Sequence, residues 1–202
     1  VKVAPGIPYE LIPSQFHARW TSVDGDLLEA ALWSPSLASE GAGRSACVIT
    51  RDEVHTLEDP QTTFADSPAR QAIVGQLGSY LYEPDSAVIR AGMVARLSED
   101  IDAHLISESI AYLSASQLTP TPFAAAFEVI DQVNLRAKNI QQALRAHDIG
   151  RVEVKKRGAD IQPDALRKSL KLTGSQAGVV IATRIGQSHR AIIARRISGG
   201  EA

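Results

Sequence analysis

Residues 149–158 read Ile149-Gly150-Arg151-Val152-Glu153-Val154-Lys155-Lys156-Arg157-Gly158. Val152 and Val154 alternate with Arg151, Glu153 and Lys155, the period-2 pattern of a strand with one apolar and one polar face, predicted over Ile149 to Lys156. Working outward, Pro163 starts a short helix with Leu166 and Leu170 four apart and Arg167 and Lys171 on another face. Gly178–Ile185 and Arg190–Ile197 flank Gly186-Gln187-Ser188-His189 as a hairpin. Upstream, Asn134 caps a helix running to about His147, with Ile140, Ala143, Leu144 and His147 along one side. Ile110–Leu113 and Phe123–Val133 read as strands, and so does Tyr80-Leu81-Tyr82. Glu83-Pro84-Asp85 then opens a helix whose stripe is Val88, Ile89, Gly92, Met93, Arg96 and Leu97. Together, residues 79–197 are expected to form an α+β unit, helices packed on one side of a largely antiparallel sheet.

The first residues read differently. Val1-Lys2-Val3-Ala4-Pro5-Gly6 is a short strand with a Pro-Gly turn, and Ala18–Val23 is a second strand closed by the turn Asp24-Gly25-Asp26. Leu27, Leu28, Ala31 and Leu32 fall at helical spacing, and Ala46–Thr50 makes a third strand. Three short strands make a poor independent core, so they are expected to be the closing edge of a larger sheet whose first half lies outside this sequence. Residues 57–78 read as a linker, being rich in Asp, Thr, Ser and Pro and poor in large apolar groups, and 198–202 as a frayed tail.

The chain's 202 residues, 44% hydrophobic, 22% charged and 5% aromatic, suit a globular domain and argue against a disordered tail, a rod or a coiled coil. No apolar run reaches the roughly 18 residues that cross a bilayer, and the start lacks a signal core, so no membrane partner is expected. Cys47 is the single cysteine, which excludes an internal disulfide and points to a reducing, cytoplasmic setting. The net charge of -2 conceals a division. Residues 1–132 hold 7 Lys+Arg against 18 Asp+Glu, whereas residues 133–202 hold 14 against 5. A basic C-terminal third suggests a polyanionic partner.

The densest candidate site is Lys155-Lys156-Arg157 beside Gly158, three consecutive cations able to meet successive phosphates. Arg145, Arg167, Lys168 and Lys171 lie in the same region and complete the expected nucleic-acid-binding set; Arg clamps a phosphate with two parallel bonds and Lys supplies a point charge. A solvated basic face is the bland alternative. No Phe, Tyr or Trp follows Phe127, so binding is expected to use backbone and shape and not base stacking. Asp24-Gly25-Asp26 reads as a turn before it reads as a metal or acid/base pair. His17, His55, His104, His147 and His189 show no metal-ligand spacing, so no metal site is expected. Ser22, Ser79 and Ser114 lack a nucleophile-elbow context, and no catalytic residue is assigned. Gly41-Ala42-Gly43 is a loop-like glycine pair, not a phosphate loop, so no cofactor-binding residue is assigned.

Val1–Ile7, Trp20–Asp26 and Glu29–Trp33 resemble the last strands of the catalytic domain in a bacterial group of class I S-adenosylmethionine-dependent methyltransferases. Residues 80–197, with Tyr82–Asp85, the Ala87–Gly92 helix, Pro122-Phe123 and Val154–Gly158, resemble the THUMP-like domain that follows it. The resemblance implies a partial Rossmann-type sheet over 1–56, a linker over 57–78 and a THUMP-like α+β domain over 79–197. It implies an RNA-directed enzyme, tRNA being one candidate substrate, with S-adenosylmethionine bound in the full-length parent. The family's glycine-rich cofactor loop has no match in this sequence, so the chain alone is expected to bind no cofactor and to be catalytically silent. The expected partners are RNA, the N-terminal methyltransferase half, and a second copy through an exposed sheet edge. The alternative reading is a non-catalytic protein-interaction or scaffolding module.

Overall fold

A computed structural model of the chain describes residues 1–51 and 53–197. The expected tail at 198–202 lies outside the described residues. The chain divides into two units, one of residues 1–73, 84–102 and 121–124, the other of 74–83, 103–120 and 125–202.

The first unit is built on β1 (Lys2–Val3), β2 (His17–Val23), β3 (Asp26–Trp33), β4 (Gly43–Thr50) and β5 (Glu53–Glu58), in the sheet order β1-β3-β2-β4-β5. The helix expected at 27–32 is instead strand β3. Asp24 and Gly25 sit at φ 49° and 89°, a two-residue hairpin turn, and Val23 pairs with Asp26 across it. The turn fixes the register, and Ala30 and Leu32 enter the core two residues apart. β3 lies antiparallel between β1 and β2. β2 and β4 run parallel, and β5 returns antiparallel along β4.

Of the residues expected to form a linker over 57–78, 57–73 belong to this unit and 74–78 to the other. Leu57 ends up buried in β5, Ala65 is fully buried, and the guanidinium of buried Arg44 holds the segment by donating to Ala65 O at 2.8 Å and Ser67 O at 2.5 Å. The same guanidinium donates to Ala91 O at 2.9 Å and lies 4.0 Å from the centroid of the Tyr9 ring. Its desolvation depresses the Arg44 pKa, and three backbone carbonyls stand in for a carboxylate partner.

The chain then forms β6 (Tyr80–Pro84), followed by α1 (Ser86–Arg90) and α2 (Val94–Asp100), both in the first unit. Asp85 caps α1, accepting from Ala87 N at 2.7 Å. One continuous helix was expected here. Gly92 breaks it at φ 74°, which lets Ala87, Val88, Met93 and Leu97 all reach the interior from two short helices.

The second unit adds β7 (His104–Leu105), β8 (Leu113–Ala115), β9 (Ala124–Asn134), α3 (Ala137–Ala146), β10 (Ile149–Arg157), α4 (Pro163–Ser169), β11 (Gln176–Ile185) and β12 (Ser188–Arg196). Its sheet runs β10-β11-β12-β9-β6-β8-β7. β10 and β11 are parallel, with α4 in the crossover that a parallel pair requires; β11, β12 and β9 pair antiparallel. Asn134 does not cap α3. It remains in β9, where its side chain accepts from Arg190, and Arg136 takes the N-cap position.

Alternation along β11 and β12 gives this sheet two apolar faces. Val180, Ala191 and Ile193 pack with Ile140, Ala143 and Leu144 of α3 and with Ile149, Val152 and Leu170. Val179, Ile181, Ile192 and Ala194 face the other way, onto Leu81, Ile106, Ile110, Tyr112 and Phe127. Ile140 and Leu144 are fully buried, each contributing about 1.5–3 kcal/mol by area. The helices thus cover one face, as expected, and the 106–112 segment covers the other.

Candidate nucleic-acid interface

The basic triplet does not present one positive face. Residues 155 and 157 share a face of β10 with Glu153, whereas Lys156 shares the opposite face with Val152 and Val154. Lys155 Nζ lies 2.6 Å from Glu83 Oε2 and Arg157 Nη2 lies 3.7 Å from Glu83 Oε1. Arg157 also donates to Ala111 O at 3.3 Å and stands 5.2 Å from the centroid of the Tyr112 ring. The Tyr112 hydroxyl donates to Glu83 Oε1 at 3.4 Å. Burial pushes the Tyr112 pKa up, the Glu83 charge adds to this, and Arg157 opposes it. Lys155 and Arg157 are therefore committed to an internal carboxylate. Glu83 carried no local sequence signal, being 72 residues from Lys155.

Lys156 is exposed, its Nζ donating to Ile161 O at 2.8 Å. The other expected cations lie in the helical layer. Arg145 occupies the last turn of α3, Arg167 and Lys168 the last turn of α4, and Lys171 follows closely; all four are exposed. None of them makes an ion pair among the described residues. Lys171 N donates to Gln141 Oε1 at 3.2 Å, which places Lys171 one helical turn from Arg145. Exposed Lys138, seven residues before Arg145, shares its stripe on α3 and joins the set; heptad spacing was the signal that would have found it. Arg195 and Arg196 pair with Glu128 and Glu153, and Arg184 donates to Ser109 Oγ at 2.6 Å. A cleft of about 500 Å³ lined by Asn134, Leu135, Arg136, Asp160, Ile161 and His189 adjoins the Lys156 anchor at Ile161. Its size is that of small-ligand sites.

In the first unit, Trp20 Nε1 donates to Pro5 O at 2.8 Å, and Asp24 N donates to Ile49 O at 2.9 Å, so Val3–Gly6 and Asp24–Asp26 serve the sheet. Cross-strand register places Arg19, Ser45 and Glu58 side by side, with His17 two residues before Arg19 on the same face. His17 is buried, and the loop carrying Glu40 brings that carboxylate to Arg19. His17, Glu40 and Glu58 are far apart in sequence; strand pairing brings His17 and Glu58 to one face, and the loop between β3 and β4 adds Glu40.

No strand among the described residues runs into a helix through a glycine-rich turn: α1 follows Pro84-Asp85, α3 follows Leu135-Arg136, and α4 follows Gln162. Glycine-rich strand-to-helix turns are where dinucleotide cofactors rest their phosphates in doubly wound sheets, and no chemical step is assigned to the described residues. No helix among the described residues is long and apolar enough to cross a membrane.

Residues 124–196 match the family described as THUMP domain-like. The chain is 35% identical over 189 residues to uncharacterized S-adenosylmethionine-dependent methyltransferases of Mycobacterium tuberculosis strains CDC 1551 / Oshkosh and ATCC 25618 / H37Rv, covering 92% of this chain and 50% of each relative. It shares its fold with a crystal structure described as a "putative methyltransferase" from Porphyromonas gingivalis W83, at a TM-score of 0.71 and 12% identity, over 98% of this chain and 50% of the other. The chain thus spans about half the length of the curated relatives it matches. It is an α+β protein homologous to S-adenosylmethionine-dependent methyltransferases, and its residues 124–196 carry a THUMP-like domain.

Proposed function

We propose that this chain serves a cytoplasmic, S-adenosylmethionine-dependent RNA methyltransferase as the part that grips RNA, while a region corresponding to the other half of the relatives holds the cofactor. One observation carries the reading: Lys138, Arg145, Lys156, Arg167, Lys168 and Lys171 are exposed and free of carboxylate partners among the described residues, whereas Lys155, Arg157, Arg195 and Arg196 of the second sheet are paired with carboxylates. Uncompensated cations bring counterion release on meeting a phosphate backbone, and the absence of aromatics after Phe127 fits backbone recognition.

The test is a titration of the chain with tRNA and with a second structured RNA at several salt concentrations. The combined variant R145A/R167A/K168A/K171A is expected to weaken binding similarly for both RNAs. Its log-log salt slope should be shallower by about 3, at roughly 0.7–0.9 per phosphate contact removed. No binding at low salt by the parent chain, or an unchanged slope in the variant, overturns the reading.

A further inference from the structure

The geometry points to a site for one divalent transition-metal ion in the first unit, held by His17 Nε2 and the carboxylates of Glu40 and Glu58. One ligand atom from each of these residues lies within 4.8 Å of the other two. Ligands about 2.0–2.2 Å from a common ion stand about 3.4 Å apart in tetrahedral geometry, so closure asks for about an ångström of movement from two flexible Glu side chains.

The surroundings already hold the ligands as a metal site needs. His17 Nδ1 is 3.1 Å from Gly41 O, an atom that can only accept. That bond puts the proton on Nδ1 and leaves the Nε2 lone pair free of hydrogen, the form in which imidazole binds a metal. Ser45 Oγ, 2.8 Å from Nε2, donates to that lone pair and can rotate away. Glu40 is steered by Arg19 and by Ser39 Oγ, the latter at 3.0 Å. Glu58 is exposed and accepts no hydrogen bond among the described residues, so its oxygens remain available.

The charge balance agrees. The side chains of Arg19, Glu40 and Glu58 sum to one net negative charge, and a dication between the two carboxylates would offset their mutual repulsion. The cluster opens on a cleft of about 410 Å³ that Asp59, Thr62 and Thr63 also line, leaving room for water on the ion. An imidazole with two carboxylates suits Zn²⁺ and its neighbours, whereas Mg²⁺ and Ca²⁺ prefer oxygen-only shells.

The test uses the untagged full chain, stripped with chelator, titrated with Zn²⁺ by calorimetry and with Co²⁺ by visible absorption. One equivalent of Zn²⁺ is expected to bind. E58Q and E40Q should each weaken it at least tenfold and alter the Co²⁺ d–d bands, while E10Q, an exposed acid outside the cluster, leaves both unchanged. H17A removes a buried side chain and can unfold the sheet, so the exposed E58Q carries the test, with circular dichroism confirming its fold. Absence of one saturable site, binding by E58Q and E40Q equal to the parent, or displacement of Zn²⁺ by equimolar Mg²⁺ overturns the assignment.

Discussion

Replacing Glu83 by Gln separates the two roles that Lys155 and Arg157 were given. The carboxylate meets Lys155 at 2.6 Å, with the side chains only 23% and 19% exposed, and Arg157 at 3.7 Å. Removing one partner of a fully buried pair costs about 3–5 kcal/mol, and exposed pairs are worth about 0–1 kcal/mol. These partly shielded groups fall between, and the amide oxygen can still accept from Tyr112, so E83Q is expected to destabilise by about 2 kcal/mol. In a chain of this length that lowers Tm by about 4–8 °C. Thermal melts and urea titrations measure it, and the same protein enters the RNA titration. If Lys155 and Arg157 are internal struts, the salt slope of RNA binding stays where it was. The reasoning fails if E83Q is within 0.5 kcal/mol of the parent, or if its slope steepens by about one per freed cation.

Gly92→Ala puts a Cβ at φ 74°, 2.9 Å from Ala69 Cβ and 3.0 Å from Tyr9 Oη, and should cost about 2–3 kcal/mol in a urea titration. A cost below about 1 kcal/mol would mean the break between α1 and α2 is not held by these contacts. Arg44→Met keeps an apolar stem against Tyr9 but orphans the carbonyls of Ala65, Ser67 and Ala91, for an expected loss of about 2–4 kcal/mol with RNA affinity unchanged. Tyr112 titrates above its ordinary 10.0 because burial, helped by Glu83, disfavours the phenolate. A raised pKa favours the neutral form on folding, so this stability is whole below about pH 10 and drains as pH rises beyond it. Tyr112→Phe should flatten the alkaline limb of the stability profile; a limb of undiminished steepness would assign it to other groups.

Much of the second unit was legible because its signals are local. Val152 and Val154 alternate with charges, Gly186-Gln187 closes a hairpin, and Ile140, Ala143 and Leu144 mark the buried stripe of α3. The failures have physical causes as well. Leu27 to Leu32 is rich in Leu and Ala, which suit either period, and the two-residue turn before it decided for a strand. The stripe Val88 to Leu97 keeps helical phase across Gly92, so periodicity could not reveal the break. Residues 57–73 hold few large apolar groups because their backbone, and not their side chains, is what Arg44 grips. At the candidate interface, composition found the cations but not their partners. Glu83 silences two of the three in the triplet from a distant strand, and only coordinates distinguish a spent charge from a free one.

The way the chain is shared between its two units bears on how it can be dissected. It passes from one to the other after residues 73, 83, 102, 120 and 124, so no single cut isolates either. The stretch matching the THUMP-like family, 124–196, leaves behind Leu81, Ile106, Ile110 and Tyr112, which seal one side of its sheet. Expressed by itself, that stretch would meet solvent with a raw apolar flank of Val179, Ile181 and Ile192, and is expected to aggregate where the full chain stays monodisperse.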